Sequence, residues 1–203
     1  MSESAESRVF AIVPAAGRSR RMAGAKQLLD VAGRPMLLAV LEPLAAARVA
    51  GVVLVTHHAI ATRLDLTDLA DVWLASNEDE SSEMIDSIRI GLRTWRDRAE
   101  IADRDGLLVC PADHPGITTD DFNTCLTAFC EAPDRIIIAT RAGGHGHPII
   151  FPVGLSAFVE SQACDDGLHA LPRAFAERVL FVECQSEGVT RDIDTPRDYD
   201  RLN

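Results

Sequence analysis

The chain has 203 residues, 47% of them hydrophobic and 25% charged, which suits a single globular domain that buries its own core. Its net charge of −11 argues against a general binder of nucleic acid or membrane surfaces, since both partners are anionic. Five cysteines without a CxxC pair, a polar acidic start and no apolar run of membrane-spanning length indicate reduced thiols in a cytoplasmic protein, with residues 1–7 as a disordered tail.

Along the chain, strand-like and helix-like stretches alternate. Residues 9–13 form a β-branched run that ends at a loop, 14–27. Residues 35–48 repeat apolar side chains at Leu37, Val40, Leu41 and Leu44, a helical spacing that Pro43 should kink. A buried strand is expected at 52–56, a weaker helix at 59–70 and a short strand at 72–75. A helix follows at 82–95, with Met84, Ile88 and Leu92 on one face. Next come a strand at 107–110, a helix at 119–130, a strand at 136–140 and a glycine-rich hairpin leading into 149–151. Two short helices (155–161 and 166–177), a strand at 179–182 and a closing helix from Pro196 complete the pattern.

Strands that are apolar throughout are buried on both faces, so the expected fold is α/β, with three layers and a mostly parallel central sheet carrying helices on both faces. Ligands bind such sheets beyond the carboxyl ends of the strands. The first such position holds Ala15, Ala16, Gly17, Arg18, Ser19, Arg20, Arg21 and, after a second glycine, Lys26. Small residues let backbone N–H groups approach an anion, arginines add forked donors and a lysine adds a point charge. The run contains neither GxGxxG nor a Gly-Lys-Ser/Thr ending, which argues against a dinucleotide-dependent oxidoreductase and against a Walker A loop. Asp113 follows the fourth strand, where a carboxylate either binds a hard cation or caps a turn. Asp192 and Asp194 alternate and would share a face on an extended segment, although Asp194-Thr195-Pro196 also reads as a helix start. His145 and His147 form an HxH pair, too few ligands for a zinc site. The pair His57-His58 reads as solvated loop.

The run from Ala16 to Lys26 resembles the Ala-Gly-x-Ser-x-Arg-Met-Gly-x-x-Lys motif of the MobA-like nucleotidyltransferases: Ala16, Gly17, Ser19, Arg21, Met22 and Lys26 match, and Ala23 replaces a glycine. Asp113-His114-Pro115 is similar to the Asp-Gln-Pro segment of the molybdopterin cytidylyltransferase branch, with Ala112 in place of its preceding glycine. Gly146-His147-Pro148 matches that branch's Gly-His-Pro, Asp165-Asp166-Gly167 approximates its Gly-Asp-x-Gly turn, and Asp192-Ile193-Asp194-Thr195-Pro196 matches its closing motif. The Ala-Ala-Gly entry, where the guanylyl branch tends to have Ala-Gly-Gly, leans the same way.

The resemblance implies a Rossmann-like fold of the nucleotide-diphospho-sugar transferase type and a Mg²⁺-dependent transfer of a nucleoside monophosphate. CTP is the favoured donor, the acceptor is phosphorylated, such as molybdopterin, and pyrophosphate is released. It implies that residues 15–19, Lys26, Ser81 and Ser82 bind nucleotide, that Lys26 and Arg21 stabilise phosphate charge, and that Gly146 and His147 line the acceptor pocket. Asp113 with Asp192 or Asp194 would hold the metal, Asp192 being favoured. A molybdoenzyme or cofactor-handling protein would be the downstream partner. Two alternatives stay open: a transferase acting on a sugar phosphate or another acceptor, and a molybdenum-cofactor binding protein that has lost catalysis.

Overall fold

The computed structural model describes residues 7–17 and 25–201. Among the described residues nine strands form: β1 (Val9–Pro14), β2 (Asp30–Val31), β3 (Arg34–Pro35), β4 (Val52–Thr56), β5 (Val72–Ser76), β6 (Gly106–Val109), β7 (Ile136–Arg141), β8 (Gly144–Pro152) and β9 (Val179–Glu183). Seven of them make the central sheet, in the order β5-β4-β1-β6-β8-β7-β9. All neighbours pair in parallel except β8, which runs antiparallel to both β6 and β7. Seven α-helices accompany them among the described residues: α1 (Met36–Ala45), α2 (His58–Ala61), α3 (Met84–Arg98), α4 (Thr119–Glu131), α5 (Ser156–Glu160), α6 (Ala170–Ala174) and α7 (Pro196–Asp200).

The alternation of side chains along β1 shows why the domain has three layers. Val9, Ala11 and Val13 join the core under α1 and α4, with Leu41, Leu44, Phe122 and Phe129. Phe10 and Ile12 point the other way, into a second core with Ile88, Leu92 and Trp95 of α3. Gly91 sets the closeness of α3, because a Cβ there would stand 2.5 Å from Ile12. The Trp95 indole N–H reaches through this core to the Ala11 carbonyl, 3.2 Å away, so its one polar atom is satisfied. The doubly wound, mostly parallel expectation is met.

Several local expectations are corrected. The helix at 59–70 shrinks to the single turn of α2. Leu64, Leu66 and Leu69 still pack on the core, but Asp65 takes the Thr67 N–H and hydroxyl into a local turn at 3.1 and 2.6 Å. The helix at 166–177 is reduced to the five residues of α6, with irregular turns on either side. The buried face of α3 consists of Ile85, Ile88, Leu92 and Trp95, and Met84 at its start is 50% exposed. An unforeseen two-strand hairpin, β2–β3, is closed by Ala32 and Gly33, both at positive φ. No described helix is long and apolar enough to cross a membrane.

Candidate active site

The carboxyl ends of β1 and β6 and the loop after β5 open onto a cleft of roughly 370 Å³. One wall is Ala15, Ala16, Gly17, Lys26 and Gln27; the others bring Ser82, Met84 and Ser87 from the start of α3, and Asp113 and Asp194. The Lys26 ammonium donates to Asp113 Oδ2 at 3.0 Å and to Asp194 Oδ1 at 2.8 Å. Burial works against its charge, but Asp113 and the hydrogen bonds to both carboxylates outweigh it and hold its pKa above the ordinary lysine value. Three residues far apart in sequence thus form one partly buried charge cluster.

Two side chains outside the matched motif brace the first loop. Gln27 is buried and donates from Nε2 to the carbonyls of Ala15 and Gly17 at 2.8 and 2.9 Å. Those acceptors fix which way its amide points. Its Oε1 is buried and meets no donor among the described residues. The ring N–H at His57 Nε2 donates to the Ala16 carbonyl at 2.8 Å, and its other nitrogen lies 3.5 Å from Glu78. His57 was read as solvated loop; the structure makes it a strut. Its signal in the sequence was only its place one residue past a strand. Ser82 lines the cleft and accepts from Asn77 at 3.0 Å, whereas exposed Ser81 donates to Asp79 at 2.7 Å and does not line the cleft. Arg18, Ser19 and Arg21 lie outside the described residues.

A second pocket adjoins the first. His114, His145, Gly146, His147, His169 and Arg173 line it, with Phe181 and Asp192. Its floor is tightly built: a Cβ on Gly146 would come within 1.8 Å of the Val189 carbonyl oxygen, and one on Gly188 within 2.0 Å of Gly116. His114 Nδ1–H donates to the Gly188 carbonyl at 3.1 Å, and its Nε2 faces Asp113, 3.8 Å away. That is beyond hydrogen-bond reach. His114 and His147 meet edge-on with centroids 5.0 Å apart. Burial, reinforced by His114, pushes His147 down to about 4, although Asp113 and the Val109 backbone pull the other way. His147 is therefore a neutral ring at ordinary pH, and its Nδ1 is a buried atom without a partner among the described residues. On the far wall, His145 stacks on Phe181 at 4.3 Å and 19°. His169, Arg173 and Phe181 carry no motif and were not picked out from sequence.

The carboxylates separate. Residues 190–195 do not form a strand, so Asp192 and Asp194 do not share a face. Asp194 joins Lys26 in the first cleft, while exposed Asp192 lines the histidine pocket and a neighbouring charged groove beside Arg141. Thr195, not Asp194, caps α7, exchanging hydrogen bonds with Asp198. Among the described residues no group of three or more His, Cys, Asp or Glu could cage a metal. The carboxylate pair Asp113 and Asp194 nevertheless suits Mg²⁺, which takes one or two carboxylates and completes its shell with water and phosphate oxygens.

The comparisons agree with this geometry. A family model described as the MobA-like NTP transferase domain matches residues 11–179. The purine catabolism protein PucB of Bacillus subtilis is 28% identical over 198 residues, covering 93% of this chain and 92% of that protein. A 2-C-methyl-D-erythritol 4-phosphate cytidylyltransferase of Frankia casuarinae is 32% identical over 205 residues, covering 91% of this chain and 67% of that enzyme. Among solved structures, a homologue of Mycobacterium tuberculosis Rv0371c from Mycobacterium sp. strain JC1 superposes with a TM-score of 0.78 at 25% identity, over 96% of this chain and 94% of that one. The chain belongs to the MobA-like NTP transferase family and is a nucleotidyltransferase of that kind.

Proposed function

We propose that this enzyme transfers the nucleoside monophosphate of CTP to the phosphate of a molybdopterin-like acceptor and releases pyrophosphate. One observation carries the reading: the consecutive residues Asp113 and His114 face two different pockets, one charged and one lined by aromatic rings. A donor triphosphate in the first and an acceptor in the second would meet at the end of β6. An oxygen of the acceptor phosphate then attacks the α-phosphorus, the bond to the bridging α,β-oxygen breaks, and the electron pair leaves with pyrophosphate. Lys26 is placed to neutralise charge on the donor phosphates, Gln27 and His57 keep the loop carbonyls turned away from them, and the backbone of Ala15–Gly17 approaches closely because nothing larger than a methyl intrudes. Catalysis here is positioning and charge neutralisation, with no covalent enzyme intermediate. Mg²⁺, held by Asp113 and Asp194, would supply further neutralisation of the reacting phosphates. The stacked pair His145–Phe181 offers a flat face that suits a planar ring system on the acceptor.

The test is pyrophosphate release from each of the four nucleoside triphosphates with molybdopterin and Mg²⁺. Release confined to CTP is expected. Release with another triphosphate, or only with a sugar phosphate as acceptor, would overturn the donor or acceptor assignment and keep the transferase. Tight ligand binding with no release from any combination would favour a binding protein that has lost catalysis.

A further inference from the structure

We propose that Arg173 and Asp192 read the edge of the acceptor's ring system, selecting a 2-amino-4-oxopyrimidine ring of the kind a pteridine carries. The inference rests on the reading of the histidine pocket as the acceptor site, and adds the two residues that recognise what lies there. Arg173 stands on α6 and Asp192 on the segment before α7. Both line that pocket, and they are its permanently charged side chains among the described lining residues. Each is exposed, and neither is held by a side-chain hydrogen bond or an ion pair among the described residues. Arg141 and Arg191, in the groove next to Asp192, face Glu183 at 3.9 Å and Glu187 at 3.1 Å instead. Opposite charges that share a pocket without pairing leave both sets of hydrogen-bonding atoms for a ligand.

The two charges also restrict what that ligand is. Asp192 repels an anionic group and Arg173 repels a cationic one. A neutral ring with an acceptor on one part of its edge and donors on another satisfies both. The 2-amino-4-oxopyrimidine ring is such a group. Its carbonyl oxygen accepts from a guanidinium, and its amino group and adjacent ring N–H donate side by side to the oxygens of a carboxylate. The pocket offers a surface for the ring's face as well. Phe181 is a large apolar side chain left 52% exposed, and it stacks with His145 at 4.3 Å. A flat ligand there covers apolar area that is otherwise left to water. Orientation matters because the reacting phosphate hangs from this ring system and has to reach the end of β6.

Pterin, the bare 2-amino-4-oxopteridine, is the probe, and its own fluorescence anisotropy reports binding at neutral pH. Lumazine, in which a second carbonyl replaces the amino group, is the comparison. Wild type should bind pterin about tenfold more tightly than lumazine, since a carboxylate that meets an oxygen in place of a donor forfeits a charge-assisted hydrogen bond. Asp192→Asn should abolish that preference. Arg173→Met should weaken both ligands about tenfold, and Arg173→Lys should recover part of the loss, because it keeps the charge without the fork. With molybdopterin as acceptor, Arg173→Met should raise its KM about tenfold and leave kcat and the KM for CTP within about twofold of wild type. Equal binding of pterin by wild type and both variants, or equal binding of pterin and lumazine by wild type, overturns the edge assignment; turnover of molybdopterin then leaves the acceptor reading standing. Absence of pterin binding to wild type overturns the assignment too, and molybdopterin turnover again decides the acceptor reading separately. Turnover confined to an acceptor without a ring overturns both. Guanosine carries the same edges on a purine, and tighter binding of guanosine than of pterin would overturn the pteridine.

Discussion

The two pockets meeting at the end of β6 are built on opposite principles. The cleft beside β1 gathers full charges, Lys26 against Asp113 and Asp194, and holds them by ion pairs. The pocket beside β8 gathers aromatic rings, His114, His145, His147 and Phe181, on a floor of glycine-to-backbone contacts. A charged site tolerates small movements, since Coulomb attraction falls slowly with distance. A site floored by backbone at van der Waals contact does not. The first pocket should thus respond to changes of charge and the second to changes of shape.

Five substitutions would break or sharpen that contrast. The largest effect is expected for Lys26→Ala, which should lower turnover by about 10²–10³-fold while the protein still folds, as judged by circular dichroism. Near-wild-type turnover would remove Lys26 from the chemistry. Next, Asp194→Asn should cost about 10²-fold in turnover, whereas Asp192→Asn should alter mainly the KM for acceptor. The reverse outcome would return the metal to Asp192. Gly146→Ala should destabilise the fold by about 1–3 kcal/mol in urea titration, because its Cβ would meet the Val189 carbonyl oxygen at 1.8 Å. An unchanged midpoint would show that the floor yields. The smallest effect is expected for His147→Gln, with acceptor KM raised about tenfold and nucleotide affinity unaltered.

His147 also gives the contrast a pH signature. Its folded pKa of about 4 lies below the 6.5 of an unperturbed histidine. Between these values the unfolded chain binds the extra proton, so the stability tied to the neutral ring is complete above roughly pH 6.5 and is lost as pH falls toward 4. The loss should amount to about 1–3 kcal/mol. Urea midpoints measured from pH 4 to 7 should rise more steeply for wild type than for His147→Gln, and parallel curves would show that the ring titrates normally.

The layers of the fold were legible because strands such as Val52–Thr56 are apolar at every position, and only burial on both faces explains that. Lys26 and Asp113 were legible from spacing and motif. What sequence left hidden depends on contacts between distant segments. The nine residues of β8 extend through Gly144, His145 and Gly146, poor strand formers that β7 nonetheless pairs at Thr140↔His145 and Arg141↔Gly144. Asp192 and Asp194 lie on a segment that pairs with no strand, so no sheet face holds them together and they line different pockets. Gln27 and His57 act on carbonyls of the first loop, and nothing in their own neighbourhoods announces it. Helix 59–70 misled because leucines that pack on a core from an irregular segment imitate helical spacing.

The placement of the two tryptophans gives the enzyme a built-in optical probe. Trp73 and Trp95 lie against each other, ring centroids 4.7 Å apart, and Trp95 also touches Phe10 and bonds to the Ala11 carbonyl of β1. These are the chain's two indoles, and neither lines the histidine pocket. Intrinsic emission therefore reads the layer beneath β1, the strand that leads into the loop at Ala15–Gly17. A change of emission on adding nucleotide would register a shift of that strand, while acceptor binding should leave the signal dark, so one unlabelled sample can resolve the order in which the two substrates arrive.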